Sequence, residues 1–227
     1  MRKHLFAVYA FARRGDDLAD EPWTQDPAER LAALDAMDRS LSDATLAPDD
    51  PVFVALHATI RSTGLPHAPF QRLLTAFRSD VEFRTPATWD DVLAYCSNSA
   101  DPVGEIILRL DHGHGEPSRD AIEASNAICT ALQITNFLQD LGTDLPRGRS
   151  YLPIPDEDVI RRTAELFDFG TAVLGHVRSW RLRLELRAII AGGRTMLHLC
   201  SIRTDRLQRP VLSAGAWVHL LRAFVRG

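Results

Sequence analysis

At 227 residues the chain can bury a substantial core, and its 45% hydrophobic and 25% charged content is that of an ordinary globular protein. A net charge of -4 gives no bulk basic footprint, so a nucleic-acid partner is not expected. No apolar run approaches the roughly 20 residues of a bilayer span. Three scattered cysteines, Cys96, Cys129 and Cys200, argue against a disulfide framework or a zinc site and suit a reducing cytoplasm.

Apolar residues at three-to-four spacing predict helices over 2–20, 28–44, 51–63, 68–80, 88–99, 102–112, 118–145, 156–178 and 180–202. The basic-then-apolar start resembles a leader peptide. It is interrupted by Arg13 and Arg14, however, and lacks a small-residue cleavage site, so it reads as a helix of the domain. Asp26-Pro27, Asp50-Pro51 and Thr88 are helix starts, each with a short polar side chain to cap free N–H groups. Polar breaks near 46–51, 112–118 and 146–157 read as loops. His112-Gly113-His114-Gly115 looks like a metal site, but its glycines and Pro117 make it a loop. With no strand-like alternation and no repeat, the expected fold is all-α, in one domain over residues 1–227. In the tail, Trp217, Leu220, Leu221 and Phe224 share one face beside Arg222 and Arg226. Docking on the helical body is the default reading, and peripheral membrane contact is the sharper one.

Two polar stripes carry the chemistry. With 100° of rotation per residue and Tyr9 at zero, Arg13 lies at about 40°, Asp16 at about -20° and Asp20 at about 20°. An ordinary solvated face is the plain explanation. Against it, two carboxylates one turn apart repel on an exposed helix, and the flanking residues are largely apolar. Carboxylates at that spacing can share a hard divalent cation through oxygen. Asp17 points about 80° away from Tyr9 and ranks lower.

The second stripe repeats the device. With Gln133 at zero, Asn136 falls at about -60°, Asp140 at about -20° and Asp144 at about 20°. Pro146 ends the helix after the last aspartate. Arg147 and Arg149 then offer two guanidinium groups suited to bidentate phosphate contacts. Two facing stripes of this kind would present carboxylates to magnesium and arginines to diphosphate oxygens.

These residues resemble a known family. Y-x-x-x-R-x-x-D-D-x-x-D from Tyr9, Q-x-x-N-x-x-x-D-x-x-x-D from Gln133, R-G-R-x-Y-L-P from Arg147 and the Leu93–Gly104 phrase L-A-Y-C-S-N-S-A-D-P-V-G are similar to the squalene/phytoene synthases. These enzymes join prenyl diphosphates head to head. The resemblance implies an isoprenoid-synthase-type helical bundle with a central cavity, a Mg2+ cofactor and a prenyl diphosphate substrate. It implies magnesium ligands at Asp16, Asp20, Asn136, Asp140 and Asp144, and diphosphate contacts at Arg13, Arg147 and Arg149. Tyr9, Gln133 and Tyr95 would line the cavity, with Tyr151 near its mouth. A packed core tyrosine is the alternative for Tyr95.

Y-A-F-A-R, D-D-L-A-D-E, A-D-P-V-G and N-F-L-Q-D, with Gln139 where relatives usually carry arginine, resemble the hopanoid-pathway branch. That branch converts presqualene diphosphate and water to hydroxysqualene and diphosphate without NADPH. Phytoene, squalene or dehydrosqualene synthesis is the alternative within the family, and a non-catalytic binding or assembly homologue is the alternative outside catalysis. An all-α nucleotide pyrophosphatase would call for Glu-rich repeats, which the sequence lacks. The resemblance implies a further N-terminal helix, whereas only eight residues precede Tyr9 and the part after Pro153 is short and has no tyrosine; a chain trimmed relative to its relatives and a start assigned late are the alternatives. The implied location is the cytoplasm, with the membrane's inner face as the sharper reading.

Overall fold

A computed structural model describes residues 1–21, 23–153 and 156–211. The tail face from Trp217 to Arg226 therefore lies outside the described residues. Among those described, the regular structure is entirely helical, as the spacing predicts. Among the described residues, no helix is long and apolar enough to cross a membrane.

Backbone contacts gather the chain into two compact units, Met1–Arg84 with Ser97–Pro117, and Thr85–Cys96 with the chain from Ser118 on. The first holds α1 (Arg2–Asp20), α2 (Pro27–Ser42), α3 (Pro51–Thr63), α4 (Ala68–Val81) and α6 (Asp101–His112). α5 (Trp89–Ser99) contributes to both. The expected starts hold for physical reasons. Asp26 and Asp50 accept from the N–H groups of Ala28 and Val52, both at 2.9 Å, with proline at the first helical position. Thr88 and Asp91 cap reciprocally: the Thr88 hydroxyl accepts from Asp91 N–H, and the Asp91 carboxylate accepts from Thr88 N–H.

The core of the first unit is built on Phe11, Leu34, Leu41, Leu56, Phe70, Leu74 and Ile106, all fully buried. Phe11 meets Phe70 edge-on at 5.5 Å and Phe53 at 6.2 Å, which fixes how α1 rolls on α3 and α4. Arg14 adds an ion pair to Asp50 at the start of α3. His112 donates to the Leu108 carbonyl of its own helix at 2.9 Å, so it closes α6, while His114 is exposed in the turn beyond.

The second unit is centred on α7 (Arg119–Gln139), packed against α9 (Asp156–Gly170), α10 (Val173–His176) and α11 (Trp180–Ile202). The single helix expected over 118–145 is interrupted. α7 stops at Gln139, Asp140 takes a non-helical conformation, a short α8 (Leu141–Asp144) follows, and a 3₁₀ turn covers Leu145–Arg147. Gly142 weakens the helix here. It also lets the Leu207 carbonyl approach so closely that an added Cβ would lie 2.1 Å from that oxygen. Likewise 156–178 divides into α9 and α10.

Adjacent glycines in α11 test this packing. An added Cβ at Gly192 would meet nothing within 4 Å, whereas at Gly193 it would lie 2.6 Å from Leu132 Cδ2 and 2.8 Å from the fully buried Phe167 ring. Gly192→Ala is expected to stabilise by about 0.5–1 kcal/mol through helix propensity. Gly193→Ala is expected to destabilise by about 1–3 kcal/mol through overpacking. Urea titration of the two variants would read the opposite signs.

Candidate active site

The first acidic turn is the C-terminal end of α1. Tyr9 is exposed, and Asp16 and Asp17 are half-buried. The Arg13 guanidinium reaches Asp16 at 2.9 Å, Asp17 at 2.6 Å and Glu21 at 3.6 Å. The helical wheel ranks Asp17 low, yet it is as engaged as Asp16, because a long arginine spans the i+3 and i+4 positions together. The Arg13–Asp16 contact is a hydrogen bond, whereas the contact to Asp17 Oδ1 is a charge pair without hydrogen-bond geometry. That buried oxygen makes no hydrogen bond among the described residues.

Asp20, exposed at the last residue of α1, acts on Asp16 through its charge. Burial, then Asp20, hold the Asp16 carboxyl above the usual aspartate range, and Arg13 only partly offsets them. Gly15, buried beside Asp16, lies against Phe77: an added Cβ would sit 2.4 Å from that ring. Close packing therefore sets the distance of this face from α4.

The second acidic turn is the corner between α7 and α8. Backbone bonds chain its members together: Asp140 N–H donates to the Asn136 carbonyl at 2.9 Å, Asp144 N–H to the Asp140 carbonyl at 2.9 Å, and Arg149 N–H to the Asp144 carbonyl at 3.0 Å. Asn136, Asp140 and Asp144 thus mark successive turns, with Asn136 exposed and Asp140 and Asp144 half-buried. Gln133, a turn earlier, is half-buried. Gly148, at φ 74° in the left-handed region, ends the 3₁₀ turn between an exposed Arg147 and a half-buried Arg149.

Tyr151, expected near a cavity mouth, sits in a cluster of aromatic rings. It is buried and stacked flat on Phe137 at 4.2 Å, and Tyr95 leans on both rings at 5.6 and 6.0 Å. The Gly148 turn folds the chain back, and the stack then clamps the arginine-bearing segment to α7.

Sequence spacing misses Arg209. It follows α11 by only seven positions, yet its Nε lies 2.8 Å from Asp140 Oδ1. Gln139 supports it by donating to the Pro210 carbonyl at 3.1 Å, and Leu207 rests on Gly142. The Asp140 Oδ1 atom is buried and, despite the nearby charge, makes no hydrogen bond among the described residues.

A hard divalent cation suits such donors, since both turns offer carboxylate oxygens, the second adds the Asn136 amide, and each has one buried carboxylate oxygen without a hydrogen bond among the described residues. Among the described residues, no three histidine, cysteine, aspartate or glutamate side chains are gathered as a preformed metal cluster.

The elevated Asp16 has a consequence for stability. The folded protein holds the Asp16 proton more tightly than the unfolded chain does. Ionised Asp16 therefore costs stability as pH rises above the ordinary 3.8, and the cost is complete once pH exceeds the folded-state value. Asp16→Asn is expected to melt above the wild type at pH 7, with the gain fading below the ordinary aspartate range. Half-exposure keeps it to about 1 kcal/mol or less. Thermal melts from pH 3 to pH 8 would show it, and a lowered melting temperature at pH 7 would contradict it.

Comparison with known proteins places the chain in a family. Residues 1–156 match the family model for squalene/phytoene synthase. The hydroxysqualene synthase of Sinorhizobium fredii is 30% identical over 239 residues, spanning 93% of this chain and 79% of that protein. The phytoene synthase of Mycobacterium bovis is 32% identical over 169 residues, spanning 74% and 54%. The crystal structure of squalene synthase HpnC from Alicyclobacillus acidocaldarius superimposes with a TM-score of 0.78 at 34% identity, covering 91% of this chain and 84% of that one. Matched over most of its length in sequence and in fold, the chain belongs to the squalene/phytoene synthase family of isoprenoid-forming enzymes.

Proposed function

We propose that this enzyme, acting as one domain over residues 1–227, converts presqualene diphosphate and water to hydroxysqualene and diphosphate with magnesium. The observation that carries the reading is the pair of acidic turns, each neighbouring a guanidinium group: Arg13 at Asp16 and Asp17, and Arg209 at Asp140. The hydroxysqualene synthase relative, similar over 93% of the chain, supports the choice of substrate.

Asp16 and Asp20 on α1, and Asn136, Asp140 and Asp144 at the α7–α8 corner, are the residues assigned to hold magnesium. Bound there, magnesium supplies charge neutralisation to a departing diphosphate. Arg13, Arg147 and Arg149 are assigned to the remaining diphosphate oxygens, where the planar guanidinium matches two oxygens at once. In the reaction the carbon–oxygen bond breaks with both electrons going to diphosphate. The cation rearranges, a water oxygen bonds to carbon, and that water loses a proton. Tyr9, Gln133, Tyr95 and Tyr151 are assigned to the walls around the prenyl chain. Of these, Tyr95 and Tyr151 share a ring cluster with Phe137, a surface that shields a cation from stray water.

A second reading, condensation of two prenyl diphosphates, is favoured by the similarity to a phytoene synthase over 74% of the chain. Incubation with magnesium and either presqualene diphosphate or farnesyl diphosphate, followed by mass spectrometry of the lipids, separates the two. Hydroxysqualene from presqualene diphosphate is expected. It should vanish with EDTA, return with added magnesium, and fall at least ~100-fold in Asp16→Ala and Asp140→Ala. A product from farnesyl diphosphate alone would move the protein to the condensation step. Turnover of neither substrate would overturn the enzymatic reading.

A further inference from the structure

Arg30 occupies an unfavourable place in its own helix. It lies in the first turn of α2, where the helix dipole is positive and a cation is disfavoured. Its guanidinium is half-buried and turned instead onto the end of α1. There it donates to the carbonyls of Ala19, of Glu21 at 2.9 Å, and of Thr24 at 2.8 and 3.2 Å. The last carbonyls of an α-helix have no partner within the helix and carry the negative end of its dipole. One side chain thus satisfies carbonyls on both sides of Asp20 and places a positive charge where the dipole calls for it. Neighbouring bonds complete the collar: Trp23 Nε1 donates to the Leu18 carbonyl at 3.1 Å, and Glu21 N–H donates to the Asp17 carbonyl at 3.0 Å.

We infer that Arg30 is a positioning residue for the first acidic turn, holding the backbone of Asp20 so that Asp16 and Asp20 keep the one-turn spacing that a shared cation requires. A terminal helical residue frays unless its end groups are satisfied, and Asp20 is the terminal residue of α1. Repulsion between Asp16 and Asp20 adds to the tendency to open. Arg30 contributes no ligand of its own. It acts through main-chain carbonyls, with the indole bond of Trp23 leaving the rest of α1 anchored when Arg30 is removed. This inference rests on the magnesium reading proposed above.

The test compares Arg30→Ala and Arg30→Lys with Arg78→Ala, using the full chain and magnesium alone. Arg78 is the matched control. It links α4 to α2 through Asp35 and Asp38 at 2.8–2.9 Å, away from the carbonyls that end α1. Hydrogen exchange should accelerate at the amides of Asp20 and Glu21 in Arg30→Ala and stay unchanged there in Arg78→Ala. Magnesium affinity by calorimetry should fall about tenfold in Arg30→Ala, the scale of losing a ligand-orienting group. It should recover in part in Arg30→Lys, which keeps the charge but not the fork, and should match the wild type in Arg78→Ala. Unchanged exchange at those two amides in Arg30→Ala would overturn the positioning role whatever the metal does. Equal losses of magnesium affinity in Arg30→Ala and Arg78→Ala would reduce it to general stability. Accelerated exchange in a wild-type protein background that binds no magnesium would instead remove the magnesium reading, and with it the purpose assigned to the collar.

Discussion

Like charges set one helical turn apart must be held in place by something other than themselves, and much of this structure answers that requirement. Asp16 and Asp20 repel across a turn of α1, and Asp140 and Asp144 stand one turn apart at the α7–α8 corner. In each case a guanidinium supplies part of the opposing charge: Arg13 from within the same helix, and Arg209 from a segment beyond α11. The arrangement costs stability, since burial holds Asp16 against ionisation. Such local conflict is common at functional sites, where chemistry rather than folding sets the residue choice.

The scaffold under each acidic turn is stiff for ordinary reasons. In the first unit, Phe11 is fully buried between the edges of Phe53 and Phe70, and Arg14 ties α1 to the start of α3. A helix fixed on its apolar side presents its polar side with little freedom. In the second unit, α9 and α11 lie against α7 with glycines at close approaches: Gly170 meets Ile128, and Gly193 meets Leu132 and Phe167. The Phe137–Tyr151 stack then fixes the chain just after the second turn. Packing and site share residues: Phe137 follows Asn136, and Gly15 precedes Asp16.

Much of this is legible in the sequence. Helix positions follow from apolar spacing and from Asp-Pro starts, and α3 and α11 begin and end where the spacing says. The first acidic stripe lies on one continuous helix, as the 100° rotation assumes, whereas the second runs across the break at Asp140. What spacing misses are contacts between residues far apart in the chain. Gly142, just past the break at Asp140, is approached by a carbonyl supplied by Leu207, and Asp140 pairs with Arg209. Periodicity carries no information on either. The resemblance singles out Tyr151, but its burial against Phe137, after the left-handed turn at Gly148, carries no signal in the spacing. The Arg13–Asp17 pair also escapes the wheel, which treats side chains as points, whereas arginine is long enough to bridge adjacent directions.

The seating of Leu207 on Gly142, with Arg209 against Asp140, has a practical consequence for anyone handling this protein. The short stretch after Ile202 carries no regular helix up to Val211, which would make it a tempting place to shorten the chain or graft a reporter. Cutting there would take away the positive charge beside Asp140 and uncover the glycine on which that corner was shaped. A trimmed version could keep every helix described above, pass any check of helical content, and still carry an altered second acidic turn.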